Sequence, residues 1–429
     1  MTTITGPVRV ERLDNGLTVL VRPLPGVQAA ATCLHYGVGF RNEPVPGAAH
    51  LAEHVLSGFS AAGAGYLDDI ARLGGSTNAR TSLDYTQYLQ VLPAGGLDVA
   101  LRLERDRMAT PALTAERVGE QVAVVQAEIR RNILQRPHGG LVLFGLPALL
   151  FPSFAHGHNG YGDVDALAQV SPAQLQDFVD DYCQPANAWL GIAGDVDPDA
   201  VVAEAREVFG GLPRAGRRPI VPPADAVPET GRTAVRRDPS ASTACTAIGL
   251  RTADPARSRS EYLATVALTE LLDATPAGLP LADASGLRFR WRVNRTGNPF
   301  DVLHPSMVAA QANHPAELSG QDVEDQFRQV LGKVADAGSE LDVALTAVTR
   351  QAALAIHSDL DSLVSLASWT CIGTHLFADP CYYDTLPGLL RAVPAEDVRA
   401  VADALASAPA ARITSLPSAT MPCSPEVTR

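Results

Sequence analysis

Between Leu212 and Pro228 the chain reads Leu-Pro, Arg-Pro, Val-Pro-Pro and Val-Pro, interleaved with charged residues. Proline fixes φ and donates no backbone hydrogen bond, so this stretch belongs neither in a helix interior nor in a central strand. It reads as a linker, and it divides the 429 residues into two halves of similar length. Each half is large enough to bury a core of its own. The expected organisation is a first domain over 1–213, a linker over 214–229 and a second domain over 230–429. A faint echo joins the halves. Ser171-Pro172-Ala173 leads through Leu175, Phe178 and Val179 to Pro185-Ala186 and an apolar run; Val393-Pro394-Ala395 leads through Val398, Val401 and Ala402 to Pro409-Ala410 and Ile413. The two passages lie about 220 residues apart, the mark of a duplicated unit.

Local patterns mix strands and helices within each half, which predicts an α+β fold built on mostly antiparallel sheets. Residues 8–22 alternate apolar and polar around Asn15-Gly16, a strong hairpin signal. Strands are predicted over 28–38, 84–92 and 188–194, and helices over 47–58 and 95–107. Thr114 caps a long helix reaching about Leu134. Ser171-Pro172 opens another, with proline where its missing N–H costs nothing.

Composition narrows the class. The net charge is −13, which opposes nucleic-acid binding, because that needs a cationic face. No run approaches the roughly 18 apolar residues of a membrane span, so no membrane partner is expected. The opening Met1-Thr-Thr-Ile-Thr-Gly-Pro lacks a basic segment before an apolar one, so no secretion signal is expected. The six cysteines, Cys33, Cys183, Cys245, Cys371, Cys381 and Cys423, are scattered and form no Cys-x-x-Cys. They read as reduced core thiols in a cytoplasmic protein.

The chemistry is concentrated in His50-Leu51-Ala52-Glu53-His54. Residues i and i+4 stack on one helix face, so the two imidazoles can occupy adjacent positions around one cation. Glu53, beside His54, can reach a water on the same ion. H-x-x-E-H is the inverse of the H-E-x-x-H zinc signature. A catalytic zinc site takes a third protein ligand and keeps one position open for water. Glu128 is the candidate. It lies on the long predicted helix beside the apolar stripe of Val122, Val125 and Ile129, where a carboxylate is either a ligand or solvated. His156-Gly157-His158 reads as a loop pair, more often solvated than metal-binding, like His138. His35, His304, His314, His357 and His375 receive no role.

These motifs resemble the M16 family of zinc metallopeptidases, the pitrilysin and mitochondrial-processing-peptidase group. Leu13-Asp14-Asn15-Gly16-Leu17 is similar to the family's opening strand. Gly37-Val-Gly-Phe-Arg41-Asn-Glu43 before the His50–His54 motif is similar to its lead-in, and Gly74 through Tyr88 forms a second specific block. Tyr161-Gly162 and Pro185 through Val196 match later landmarks. The resemblance implies two homologous α+β domains forming half of a clam-like chamber. It implies one zinc per chain held by His50, His54 and Glu128, with Glu53 as general base. Asn78 and Ala79 would bind an extended peptide as an added strand. Asp84 would orient a ligand histidine, and Gln121, standing where the family often has Glu, would lend the ligands weaker polar support without loss of zinc. The usual apolar-Phe-Lys-Gly after the motif is Leu56-Ser57-Gly58-Phe59 here.

The second half carries no H-x-x-E-H. Its Leu287–Phe300 segment is rich in arginine but lacks the tyrosine that completes a substrate clamp in single-chain members. The resemblance therefore implies the zinc-bearing subunit of a two-chain endopeptidase that cleaves peptides or leader segments. Its partner would be a related chain supplying an Arg/Tyr clamp, or else a second copy in a homodimer. The alternative is a non-catalytic scaffold or peptide-binding subunit of the same fold.

Overall fold

A computed structural model of the chain describes residues 7–58, 66–109, 113–215, 225–274, 286–295, 298–304 and 306–418. The first half runs β1 (Arg9–Arg12), β2 (Thr18–Pro23), β3 (Ala29–Tyr36), α1 (Ala48–Ser57), α2 (Tyr66–Arg72), β4 (Ser76–Thr81), β5 (Thr86–Pro93), α3 (Leu97–Met108), α4 (Ala115–Ile129), α5 (Leu146–Leu150), α6 (Phe154–Gly157), α7 (Pro172–Tyr182), β6 (Ala188–Gly194) and α8 (Pro198–Phe209). The second runs β7 (Arg232–Asp238), β8 (Ala244–Arg251), α9 (Arg259–Ala274), β9 (Arg290–Val293), β10 (Met307–His314), α10 (Gly320–Ala335), α11 (Glu340–Leu360), α12 (Leu363–Phe377), α13 (Tyr382–Arg391), α14 (Ala395–Ser407) and β11 (Ala411–Pro417). The centre of the proline-rich stretch, residues 216–224, and Cys423 lie outside the described residues.

Each half folds around one sheet. The first has the order β1-β2-β6-β3-β5-β4 and the second β7-β11-β8-β10-β9. With β1 set aside the two orders are the same topology, and in each only the pair that includes the last strand, β2 with β6 or β7 with β11, is parallel. The fold is thus two related α+β units with mostly antiparallel sheets, as the strand and helix patterns predict. The echo between the halves is the same passage in both: α7 into β6, and α14 into β11. The caps differ. Ser171 closes a capping box with Gln174, whereas Pro394 occupies the cap position of α14 and offers no side-chain acceptor.

The halves are not independent bodies, because each contributes a helix to the other's sheet. Leu366, Ala367 and Cys371 of α12 join Leu20, Ala31, Cys33 and Trp189 of the first sheet in one buried cluster. Reciprocally, Leu146 and Leu150 of α5 pack with Cys245, Ala247, Met307 and Ile413 of the second. Gly191 permits the first contact: a Cβ there would lie 2.6 Å from Cys371 Sγ and 2.7 Å from the Ala367 carbonyl oxygen. Buried polar bonds add direction. Arg22 on β2 donates to Thr370 Oγ1 at 2.7 Å and pairs with Asp384 at 2.7 Å. Cys33, Cys183, Cys245 and Cys371 are buried free thiols and Cys381 is half-buried. No helix among the described residues is long and apolar enough to cross a membrane.

Candidate metal centre

α1 carries the motif, and its sequence, Ala-Ala-His-Leu-Ala-Glu-His-Val-Leu-Ser, is built largely of strong helix formers. Its N-terminus has no side-chain cap from Gly47, which sits at φ 89°. Glu43 does the capping instead: its two carboxylate oxygens accept the amides of Gly47 at 2.9 Å and Ala49 at 2.8 Å. His158 Nε2 holds that carboxylate at 2.7 Å. Arg295, from the second half, donates to the His158 carbonyl at 2.8 Å and to that of His156. The expectation that His156 and His158 are solvated loop residues is therefore overturned. His156 is buried against Arg41, and His158 is half-buried and stacked on Phe154.

One turn apart on α1, the rings of His50 and His54 stand nearly perpendicular with centroids 4.8 Å apart. α4 packs against α1, with Val118, Val125 and Ile129 buried. This brings Glu128 Oε2 to 3.4 Å from His54 Nε2 and 4.0 Å from His50 Nε2. Among the described residues this trio alone clusters as a metal-holding group, with donor atoms within 4.8 Å of one another. Two imidazoles and a carboxylate are a zinc donor set, and neighbouring ligands of a tetrahedral zinc lie about 3.3 Å apart. The residues present fit zinc. Burial, with His54 nearby, pushes the His50 pKa down to about 3, so its imidazole is neutral and its lone pair free to donate.

Glu53 sits beside the trio, and its Oε2 accepts a 2.6 Å hydrogen bond from Thr81 Oγ1 at the end of β4. Burial, reinforced by the Glu128 charge and opposed by Thr81 and Arg107, raises its pKa to about 7. A carboxyl poised there can accept and return a proton near neutral pH. These groups line a cavity of about 560 Å³ that also receives Asn78, Ala79 and Gln121. β4 is the edge strand of its sheet, so among the described residues no strand pairs with its outer side. The N–H of Ala79 is held by Asn78 Oδ1 at 3.0 Å.

Asp84 is a correction. It forms an ion pair with Arg41, Nε to Oδ1 2.7 Å, and the hydrogen bond bearing on His50 involves the Tyr161 backbone rather than Asp84. Asp84 orients no ligand histidine; it is held by a guanidinium that keeps its carboxyl below the usual range despite burial. Thr81, Arg107 and Tyr161 line the cavity and were given no role from sequence. For Thr81 a signal existed: it shares the side of β4 with Ala79, two residues away. For Arg107, stacked 4.1 Å above Tyr88 and paired with Glu104, none did.

Two family models match the chain: Insulinase (Peptidase family M16) over residues 18–137 and Peptidase M16 inactive domain over residues 169–287. The chain belongs to the M16 peptidase family. It is similar to an uncharacterized zinc protease of Mycobacterium tuberculosis, 33% identical over 216 residues, 49% of this chain and 48% of that protein. The match thus spans about half the length of each. In fold it is similar to a protease from Helicobacter pylori, TM-score 0.81 at 22% identity, covering 96% of this chain and 100% of the other. It also resembles the periplasmic protease PqqL from Escherichia coli, TM-score 0.72 at 18% identity, covering 96% of this chain and 48% of that one.

Proposed function

We propose that this chain is a zinc-dependent endopeptidase of the M16 type, acting on peptides or leader segments as the zinc-bearing subunit of a two-chain peptidase. The observation that carries the reading is the convergence of His50, His54 and Glu128 from two helices with Glu53 beside them. Zinc held by those three residues, one ion per chain, would polarise the scissile carbonyl and acidify a water. The Glu53 carboxylate takes the proton of the attacking water as the new C–O bond forms, then delivers it to the amine as the C–N bond breaks. Thr81 binds Oε2 and would leave Oε1 for the water. The substrate pairs along β4 as an added strand, one of its carbonyls replacing Asn78 Oδ1 on the Ala79 N–H.

The pairing has its own support. The E. coli protease to which this fold is similar is about twice as long as the stretch this chain covers, consistent with two such units working together. The partner is a related chain bringing an Arg/Tyr clamp and closing a clam-like chamber, or a second copy. A non-catalytic scaffold is the weaker reading, because the ligands and the base are all present. Zinc analysis and Glu53→Gln test the proposal. One zinc per chain, retained in the variant, should accompany a loss of cleavage of about 10²–10⁴-fold. A chain without stoichiometric zinc, or an E53Q variant as fast as the parent, refutes it.

A further inference from the structure

A second cavity of about 240 Å³ opens beside the metal centre. It shares Phe40, Thr81 and Tyr161 with the larger one, so it begins on the far side of the threonine that holds Glu53. Phe144 and Gly160 extend its wall, and Arg292 and Arg295 enter it from the second half. The two arginines differ. Arg295 is buried and committed to the carbonyls of His156 and His158. Arg292 lies on β9, the edge strand of the second sheet. Trp291 and Val293 turn into the core, so strand alternation puts Arg292 on the opposite face with the exposed Arg290. Among the described residues no ion pair is found for Arg292, and no acidic residue is among those lining this cavity. A half-buried guanidinium left without an anion, in a cavity it shares with Phe40, Phe144 and Tyr161, is suited to receive a carboxylate.

We infer that this side pocket selects a substrate carboxylate, a Glu or Asp side chain or a free C-terminus, near the scissile bond, with Arg292 as the specificity-determining residue. A peptide pairing along β4 passes Thr81 where the two cavities meet, and the pocket is roomy enough for a Glu side chain. The inference runs against the chain's net charge of −13, which by itself favours basic peptides: the local cation, not the global sum, faces the bound segment. It rests on the peptidase reading for its catalytic measurement.

The experiment scans Glu, Gln and Lys through each position flanking the scissile bond of a fluorogenic peptide, with free and amidated C-termini. At one position, or at the free terminus, the carboxylate should be favoured over its neutral counterpart by about five- to tenfold in kcat/KM, the worth of one partly solvated ion pair. The free-against-amidated arm tells a terminal from a side-chain carboxylate. Arg292→Gln should bring that ratio near one, and Arg292→Glu should invert it toward Lys. No carboxylate preference anywhere, or one that survives in R292Q, overturns the inference. In parallel, anisotropy of labelled Glu and Gln peptides on E53Q reads the pocket without turnover. If the parent cleaves nothing, the peptidase reading fails, while an Arg292-dependent affinity ratio still upholds the pocket and an absent ratio refutes it.

Discussion

Asp301 offers a quantitative test of how the two halves are joined. Its carboxylate is fully shielded between them: Oδ2 accepts the Tyr85 hydroxyl at 2.8 Å and faces Ser82 Oγ at 3.4 Å, and Oδ1 accepts Asn294 Nδ2 at 3.1 Å. Burial, against the hydrogen bond from Tyr85 and the charge of Arg80, raises its pKa from 3.8 to about 6. A shift of that size corresponds to about 3 kcal/mol. Because the folded chain holds this proton more tightly than the unfolded chain, the sign is fixed. Below the unfolded pKa the group contributes nothing; stability is lost as pH rises toward 6, and the full cost stands above it. Asp301→Asn mimics the protonated form and never ionises. Its oxygen can face Asn294 and its NH₂ the two hydroxyls, either of which can turn to accept. The variant should match the parent near pH 3.5 and exceed it by up to about 3 kcal/mol at pH 8. Guanidinium denaturation followed by tryptophan fluorescence across that range measures the difference. A difference that does not change with pH, or an Asn variant less stable at pH 8, refutes the assignment of a buried, costly carboxylate.

Two further expectations concern the metal helix. Added zinc at about a hundred times its dissociation constant should stabilise the parent by about 2.7 kcal/mol; in Glu128→Gln the same addition should raise the melting temperature much less, and an equal rise would remove Glu128 from the ligand set. Gly47→Ala forces a Cβ to within 2.7 Å of Leu167 and 2.9 Å of Gly162 at a φ of 89°, so a loss of roughly 1–3 kcal/mol is expected, read by denaturant midpoint, and a neutral result would mean that the turn before α1 rearranges freely.

What the sequence discloses here follows the range of the interactions involved. The hairpin at Asn15-Gly16, the Thr114 and Ser171 caps and the His50–His54 pair are all set by neighbours within a few residues, and each can be read from a short window. Glu128 needed more. Its helix and edge-of-stripe position are local and made it a candidate, but the convergence with α1 comes from packing, and the family resemblance was needed to choose a ligand over a solvated carboxylate. Asp84 went astray for the same reason. A carboxylate in a motif block has several possible partners, and Arg41, 43 positions away in sequence, reached it first. The His158–Glu43 contact, 115 positions apart, and the Arg292 pocket lie beyond any sequence window.

The reach of the second half into the centre explains why a domain without a ligand belongs to the site. A chain of contacts runs from Arg295 to the carbonyl of His158, from the His158 ring to Glu43, and from Glu43 to the first amides of α1. His50 stands one residue beyond the last of those amides, so the direction of the metal helix is set partly by a guanidinium from the other half. The exchange of α5 and α12 fixes the same relation on a larger scale, since neither sheet completes its core without a helix from the opposite half. The two halves share one topology, and among the described residues only the first brings a metal-holding trio together. The half without that trio holds, through Arg295, His158 and Glu43, the start of the helix that carries the histidines, and its Arg292 and Arg295 wall the pocket beside them.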